Sequence, residues 1–326
     1  MTYADPFAIR ELLGPDAAPA RRAMSGEHGI VLPPFTDHHV HVHLIDESGL
    51  AAHGIAAAVD LGGDPIALAR RPKEGFPRLV YAGAFLTAPG GYPVGRPWAP
   101  VEVVREVSDD SPHPGVPGGA ATWVDEQAAC GASVIKVALN RAFGAVFEPE
   151  TLDVVVACAH ERGLPVVAHV EGKRMTRRAL DAGVDALAHA PFSERIGGRL
   201  IGRAAASQVW ISTLDMHGSD REAKETAAEN LSRFREAGGR VLYGTDLGNG
   251  DRPAGVQPGE LAALHAAGVQ GAALIEALTD PWPGSDISAA VVTFVPGEPP
   301  ASLDDIPSWL GAATVVPEEE VVRDEH

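Results

Sequence analysis

From Val31 onward the chain alternates short runs rich in β-branched residues with longer, alanine-rich stretches whose apolar positions recur at helical spacing. The apolar runs are Gly54–Leu61, Arg78–Leu86, Ser133–Leu139, Leu164–His169, Ala186–His189, Val209–Thr213 and Val241–Gly244; with the run ending near His41 they predict eight strands. Between them, Pro149–Arg162 places Leu152, Val155, Val156 and Ala159 on one helical face, and Lys173–Ala182, Glu222–Ala237 and Gly259–Leu278 read the same way. Gly163, Gly183 and Gly238 each stand between a helix and the next strand, where a left-handed residue ends a helix. Strand and helix alternating in this way predict βα units around a parallel sheet. The predicted fold class is α/β, a (β/α)8 TIM barrel, which takes ~250 residues.

Two stretches break the rhythm. Ala88–Pro114 is rich in Gly and Pro and too long for a barrel turn, so it is expected to lie over the strand ends as a lid. Pro281–Val316 carries Pro and Ser around the short apolar runs Ala290–Val295 and Ala312–Val316, which predicts a small β-rich appendage, and the charged segment Pro317–His326 is expected to fray. The expected organisation is an N-terminal segment over 1–30 belonging to the small domain, a barrel over 31–280, and a C-terminal appendage and tail over 281–326.

Composition narrows the class. With 326 residues, 45% hydrophobic and 21% charged, the chain is an ordinary globular protein with a sizeable core. A formal charge of -18 repels a phosphate backbone and excludes nucleic acid as a main partner. Cys130 and Cys158 are too few for a disulfide framework and form no Cys-x-x-Cys pair. Residues Met1 to Met24 lack the apolar core of a signal peptide, and no run approaches the ~18 apolar residues of a membrane helix, so a cytoplasmic location away from membranes is expected.

The densest chemistry lies in Thr36-Asp37-His38-His39-Val40-His41-Val42-His43, four histidines at the end of the first predicted strand. Strand residues two apart share a face, so His39 and His41, or equally His41 and His43, can point inward together, with His38 on the other face. Paired imidazoles suit Zn and similar ions. Four later strands each end in one ligand-capable residue: Lys136, His169, His189 and Asp246. The C-terminal ends of barrel strands are where such enzymes place their catalytic groups.

These residues, in this order, resemble the amidohydrolase superfamily, in particular its branch of imidazolonepropionase-like hydrolases and prolidase-like dipeptidases. Asp37-His38-His39-Val40-His41 is similar to the entry motif Asp-x-His-x-His, which selects His39 and His41. Leu164–His169 through Ala182–His189 is similar to the fifth strand, helix and sixth strand with their two histidines, Gly244-Thr245-Asp246 to the eighth strand, and Val59-Asp60-Leu61-Gly62-Gly63 to the second. The resemblance runs from Val31 to Thr279, with a fainter echo of the small domain. It implies a metal-dependent hydrolase acting on an amide or related C–N bond. It also implies two Zn2+ ions per chain, one on His39 and His41 and touched by Asp246, the second on His169 and His189, with Lys136 as a bridging carbamate. An ammonium has no lone pair to donate, so Lys136 can serve a metal only deprotonated or carboxylated. Asp246 has the right chemistry to take a proton from the attacking water and return it to the leaving nitrogen.

The chain departs from the branch after the third strand, where Gly90-Gly91-Tyr92 replaces Gly-Gly-His and Arg96 and Trp98 follow. Tyr92 and Arg96 are therefore expected to bind substrate, and His217 to orient its carbonyl. The N-terminal segment is shorter than the usual first half of the small domain, which leaves that domain truncated. Two other readings share these residues: a lactonase or esterase, and a silent metal-binding scaffold in a biosynthetic complex, against which the intact ligand set argues. The expected partners are a small-molecule or peptide substrate and, in a homo-oligomer, further copies of the chain.

Overall fold

Runs of Val, Ile and Ala buried on both faces make parallel strands, and the computed structural model, which describes residues 5–75, 77–284 and 290–324, shows them in the expected order. Helix α1 (Pro6–Leu13) leads into β1 (Ala18–Arg22) and β2 (His28–Leu32). The alternation then begins with β3 (Phe35–Val40), β4 (Ile55–Asp60), α2 (Pro65–Ala69), β5 (Arg78–Tyr81), β6 (Phe85–Thr87) and β7 (Val104–Glu106). It continues with α3 (Ala120–Ala129), β8 (Ile135–Asn140), α4 (Pro149–Glu161), β9 (Val166–Glu171), α5 (Met175–Asp181), β10 (Ala186–Leu187) and α6 (Gly198–Ala205). β11 (Val209–Ile211), α7 (Arg221–Glu236), β12 (Arg240–Leu242), α8 (Pro258–Ala266) and α9 (Ala272–Thr279) complete it. β13 (Val291–Pro296), α10 (Ile306–Leu310), β14 (Thr314–Pro317) and β15 (Val321–Arg323) follow. β3, β4 and β8 are buried at every position.

The strands form a seven-stranded parallel sheet ordered β12-β11-β10-β9-β8-β6-β7 and a three-stranded parallel sheet ordered β3-β4-β5. Backbone hydrogen bonds tie their edges together. His38 N donates to the Tyr243 carbonyl at 3.0 Å and His41 N to that of Leu247 at 2.8 Å, while Ser133 N donates to the Tyr81 carbonyl at 2.9 Å. The C-terminal ends of β3, β8, β9 and β10 and the segment after β12 thereby converge on one face.

Four expectations change. The single strand Arg78–Leu86 is broken in two at Gly83, because Gln127 Oε1 accepts from Ala84 N at 2.8 Å and fills the space where a side chain at residue 83 would sit. Gly259–Leu278 is two helices, since Gly268 and Gly271 take φ of 90° and 54° between them. The loop over 88–114 contains β7, which pairs in parallel with β6. Of the tail expected to fray, β15 instead pairs antiparallel with β1, while the last two residues lie outside the described ones, as do 285–289 of the appendage. Both ends of the chain build one antiparallel sheet ordered β14-β13-β2-β1-β15. Gly163, Gly183 and Gly238 adopt φ of 70°, 81° and 87°, as helix-ending residues do. No helix among the described residues is long and apolar enough to cross a membrane.

Candidate metal centre

His39 lies one residue before the end of β3 and His41 just after it, and their common parity brings both rings to the same cavity. Gly244 makes this possible from the other side: a Cβ there would stand 2.3 Å from Ile211 Cγ2 and 3.2 Å from His39 Cβ. Asp246 follows on the same segment with φ of 54°, a left-handed conformation that costs a non-glycine residue roughly 1–3 kcal/mol and clusters at functional sites.

Backbone carbonyls decide which ring nitrogens face inward. His39 Nδ1 donates to the Ala188 carbonyl at 2.8 Å and His41 Nδ1 to that of Gly62 at 3.1 Å, so each Nε2 turns a lone pair into the cavity. The two Nε2 atoms stand 3.2 and 3.4 Å from the same Asp246 Oδ1. His39 Nε2 is buried with no hydrogen bond. Burial, with Lys136 adding to it, holds the His39 imidazole well below its ordinary pKa. Three acceptors aimed at one point repel unless a cation lies among them. A divalent ion fits this donor set: the three ligand atoms all lie within 4.8 Å of one another, the one such group among the described residues.

The other strand-end residues line the same cavity of about 360 Å3. The ring of His189 is centred 4.7 Å from that of His39, and His169 5.0 Å from His189. His189 Nδ1 hydrogen-bonds Thr213 Oγ1 at 2.9 Å, which leaves its Nε2 for the cavity. Lys136 is 1% exposed; its ammonium lies 5.5 Å over the Phe85 ring, and no ion pair or hydrogen bond among the described residues engages it. Burial pushes it down to about 7, against the pull of Asp246 and Asp60. Behind the ligands, the fully buried Asp37 accepts from His39 N and Thr245 N, both at 3.1 Å, and from Thr245 Oγ1 at 2.6 Å. This carboxyl therefore clasps the strand bearing His39 to the segment bearing Asp246.

The remaining candidates divide. Tyr92 lines the cavity and stacks on His169 at 5.0 Å, while Arg96 does not line it; its guanidinium lies 4.5 Å over Phe143 and 5.8 Å over Tyr92. His217 stands behind Phe192, ring centres 4.7 Å apart, outside the lining. His43 is turned away to the Trp98 carbonyl, and His38, on the opposite face, is held between the carbonyls of Tyr243 and Asp280. Glu171, which lines the cavity, and Asn140, which binds it, are not among the residues expected from the sequence. Glu171 Oε2 lies 3.4 Å from His169 Nε2 and accepts from Asn140 Nδ2 at 2.6 Å. Its place two residues after His169 on the same strand, and hence on the same face, was the available signal. Phe85, Trp98, Phe192 and Met216 give the cavity an apolar wall.

Solved structures share the fold. A Xaa-Pro dipeptidase with methionine bound in its active site matches at 18% identity and a TM-score of 0.66, over 90% of this chain and 87% of its own. A putative prolidase from Bifidobacterium longum matches at 21% and 0.68, over 90% and 80%, and the ochratoxinase of A. niger at 20% and 0.66, over 88% and 82%. No family model matches the chain, and no curated protein does.

Proposed function

We propose that the chain is a metal-dependent hydrolase of the amidohydrolase type that cleaves an amide or related C–N bond in a small or peptide-like substrate. The observation that carries this is the convergence of the His39 and His41 Nε2 lone pairs on the Asp246 carboxylate in a buried cavity. The names of the solved neighbours, a dipeptidase, a prolidase and an ochratoxinase, agree with it. The two parallel sheets then form one closed (β/α)8 barrel, supported by the backbone bonds that join the segment after β12 to β3 and β5 to the residues just before β8.

His39, His41 and Asp246 would hold one Zn2+, and His169 and His189 a second. Lys136 would bridge them as a carbamate: its neutral amine adds to CO2, a C–N bond forms and a proton leaves. Its burial without an ion-pair partner supports this, since the carbamate puts an anionic oxygen where an ammonium stands unpaired. The bound metal supplies Lewis acidity, lowering the pKa of a water to ~7 and polarising the scissile carbonyl. Asp246, oriented by Asn249 Nδ2 donating to its Oδ2 at 2.9 Å, takes the water's proton and returns it to the leaving nitrogen. Tyr92 keeps its own proton, because burial raises its pKa, and offers it to the substrate. The apolar wall excludes water and receives the substrate's side chain.

The test is a matched panel of N-acyl amino acids, dipeptides and lactones, assayed before and after chelation and zinc restoration. Amide or dipeptide hydrolysis lost on chelation and regained with zinc is expected. Turnover of lactones alone would replace the reading with an esterase, and no turnover by zinc-loaded protein would leave a silent scaffold.

A further inference from the structure

The chain carries 44 acidic against 26 basic side chains, yet one cavity gathers arginines. It lies between α4 and α5, measures about 350 Å3, and shares no lining residue with the candidate metal centre. Arg141, Arg174, Arg177 and Arg178 line it, with Asp153 and Asp181. Arg203 already engages Asp181 at 2.8 Å. Among the described residues no carboxylate forms an ion pair with any of the four guanidinium groups and none of those groups donates a hydrogen bond, while the backbone N–H of Arg174 donates to Glu194 Oε1 at 2.6 Å. Nε and Nη2 of Arg178 are sealed from solvent with no partner, and sealed N–H groups left unbonded are costly enough that proteins keep few of them.

Two of the four are held by the backbone near the strand ends. Arg141 follows the last residue of β8, and its N–H donates to the Glu171 carbonyl at 2.9 Å. Arg174 stands at the start of α5 in a left-handed conformation, φ 70°. The guanidinium fork matches the oxygens of phosphate in a bidentate way, and a hollow of this volume suits a small metabolite. A long polyanion is disfavoured by the charge of -18 on the chain as a whole.

We infer that the arginine-lined cavity between α4 and α5 binds a small phosphorylated molecule, a phosphate monoester or diphosphate. This stands apart from the proposed hydrolysis and does not rest on it. The probes are inorganic pyrophosphate and glycerol 3-phosphate, titrated calorimetrically into the full-length metal-loaded protein and into Arg177→Gln and Arg178→Gln, with glycerol and citrate as controls. Saturable binding of at least one phosphate probe is expected, weakened about tenfold or more in each variant. Arg177 is exposed, so its variant decides the matter even if Arg178→Gln does not fold, as circular dichroism would show. The inference is overturned by no saturable binding, by unchanged binding in Arg177→Gln, which would place the anion on the metals, or by citrate binding more tightly than either phosphate probe.

Discussion

Thr245→Val tests whether the Asp37 clasp holds the two ligand-bearing segments in register. Valine keeps the shape of threonine and removes the hydroxyl that donates to Asp37 Oδ2 at 2.6 Å. Asp37 is fully buried, and no other hydrogen bond reaches that oxygen, since His39 N and Thr245 N both donate to Oδ1. Leaving a buried acceptor without its hydrogen bond costs ~1–3 kcal/mol, a large share of a domain's net stability of ~5–15 kcal/mol. At ~2 °C per kcal/mol for a chain of this size, the melting temperature of the metal-free protein should fall by about 2–6 °C. Weakening the support of metal ligands typically costs ~10–100-fold in affinity, so zinc should also bind about tenfold more weakly in a competition titration with a chromophoric chelator. Thr245→Ser, which keeps the hydroxyl, should retain most of both quantities. A Thr245→Val protein that melts and binds zinc like wild type, or a serine variant as damaged as the valine one, would refute the clasp.

Asp246→Asn should keep the fold and lose ~10²–10⁴-fold in kcat, the usual cost of removing a general acid–base, measured on whichever substrate the panel yields; near-normal kcat would remove Asp246 from proton transfer. Lys136→Met should lower the metal content from about two ions toward one or none by elemental analysis of protein grown with zinc and bicarbonate, and an unchanged count would exclude a bridging role. Glu260 accepts from Leu214 N at 3.0 Å and Asp215 N at 2.7 Å, and burial pushes its carboxyl up from 4.5 to about 7. The folded state therefore binds this proton more tightly than the unfolded state, and the associated stability is present below pH 4.5 and lost as pH rises through about 7. Glu260→Gln should shrink the difference in urea midpoint between pH 5 and pH 8, and an equal difference in both proteins would contradict the assignment.

The strands carrying the candidate ligands were legible because β-branched runs buried on both faces announce themselves, and because parity puts His39 with His41 at a strand end. What escaped is non-local. The break in the strand expected over Arg78–Leu86 is made by Gln127, on a helix more than forty residues further on, and Arg22 pairs with Val321 at the other end of the chain. Periodicity cannot see such partners. The choice between His43 and His39 as the companion of His41 was open on parity alone, because parity cannot see that the His43 ring meets the Trp98 carbonyl at 3.3 Å. Arg96 shows the limit in loops: without a repeating backbone, nothing in the local pattern says that its guanidinium stacks on Phe143 instead of entering the cavity.

Whether His39, His41 and Asp246 close around a catalytic divalent ion is decided by anomalous diffraction at the zinc edge, from crystals of protein purified with zinc and bicarbonate. A strong peak is expected within ~2.0–2.2 Å of His39 Nε2, His41 Nε2 and an Asp246 oxygen, with a second peak against His169 and His189 and carbamate density on Lys136. A fully zinc-soaked crystal with no peak among His39, His41 and Asp246 would contradict that closure.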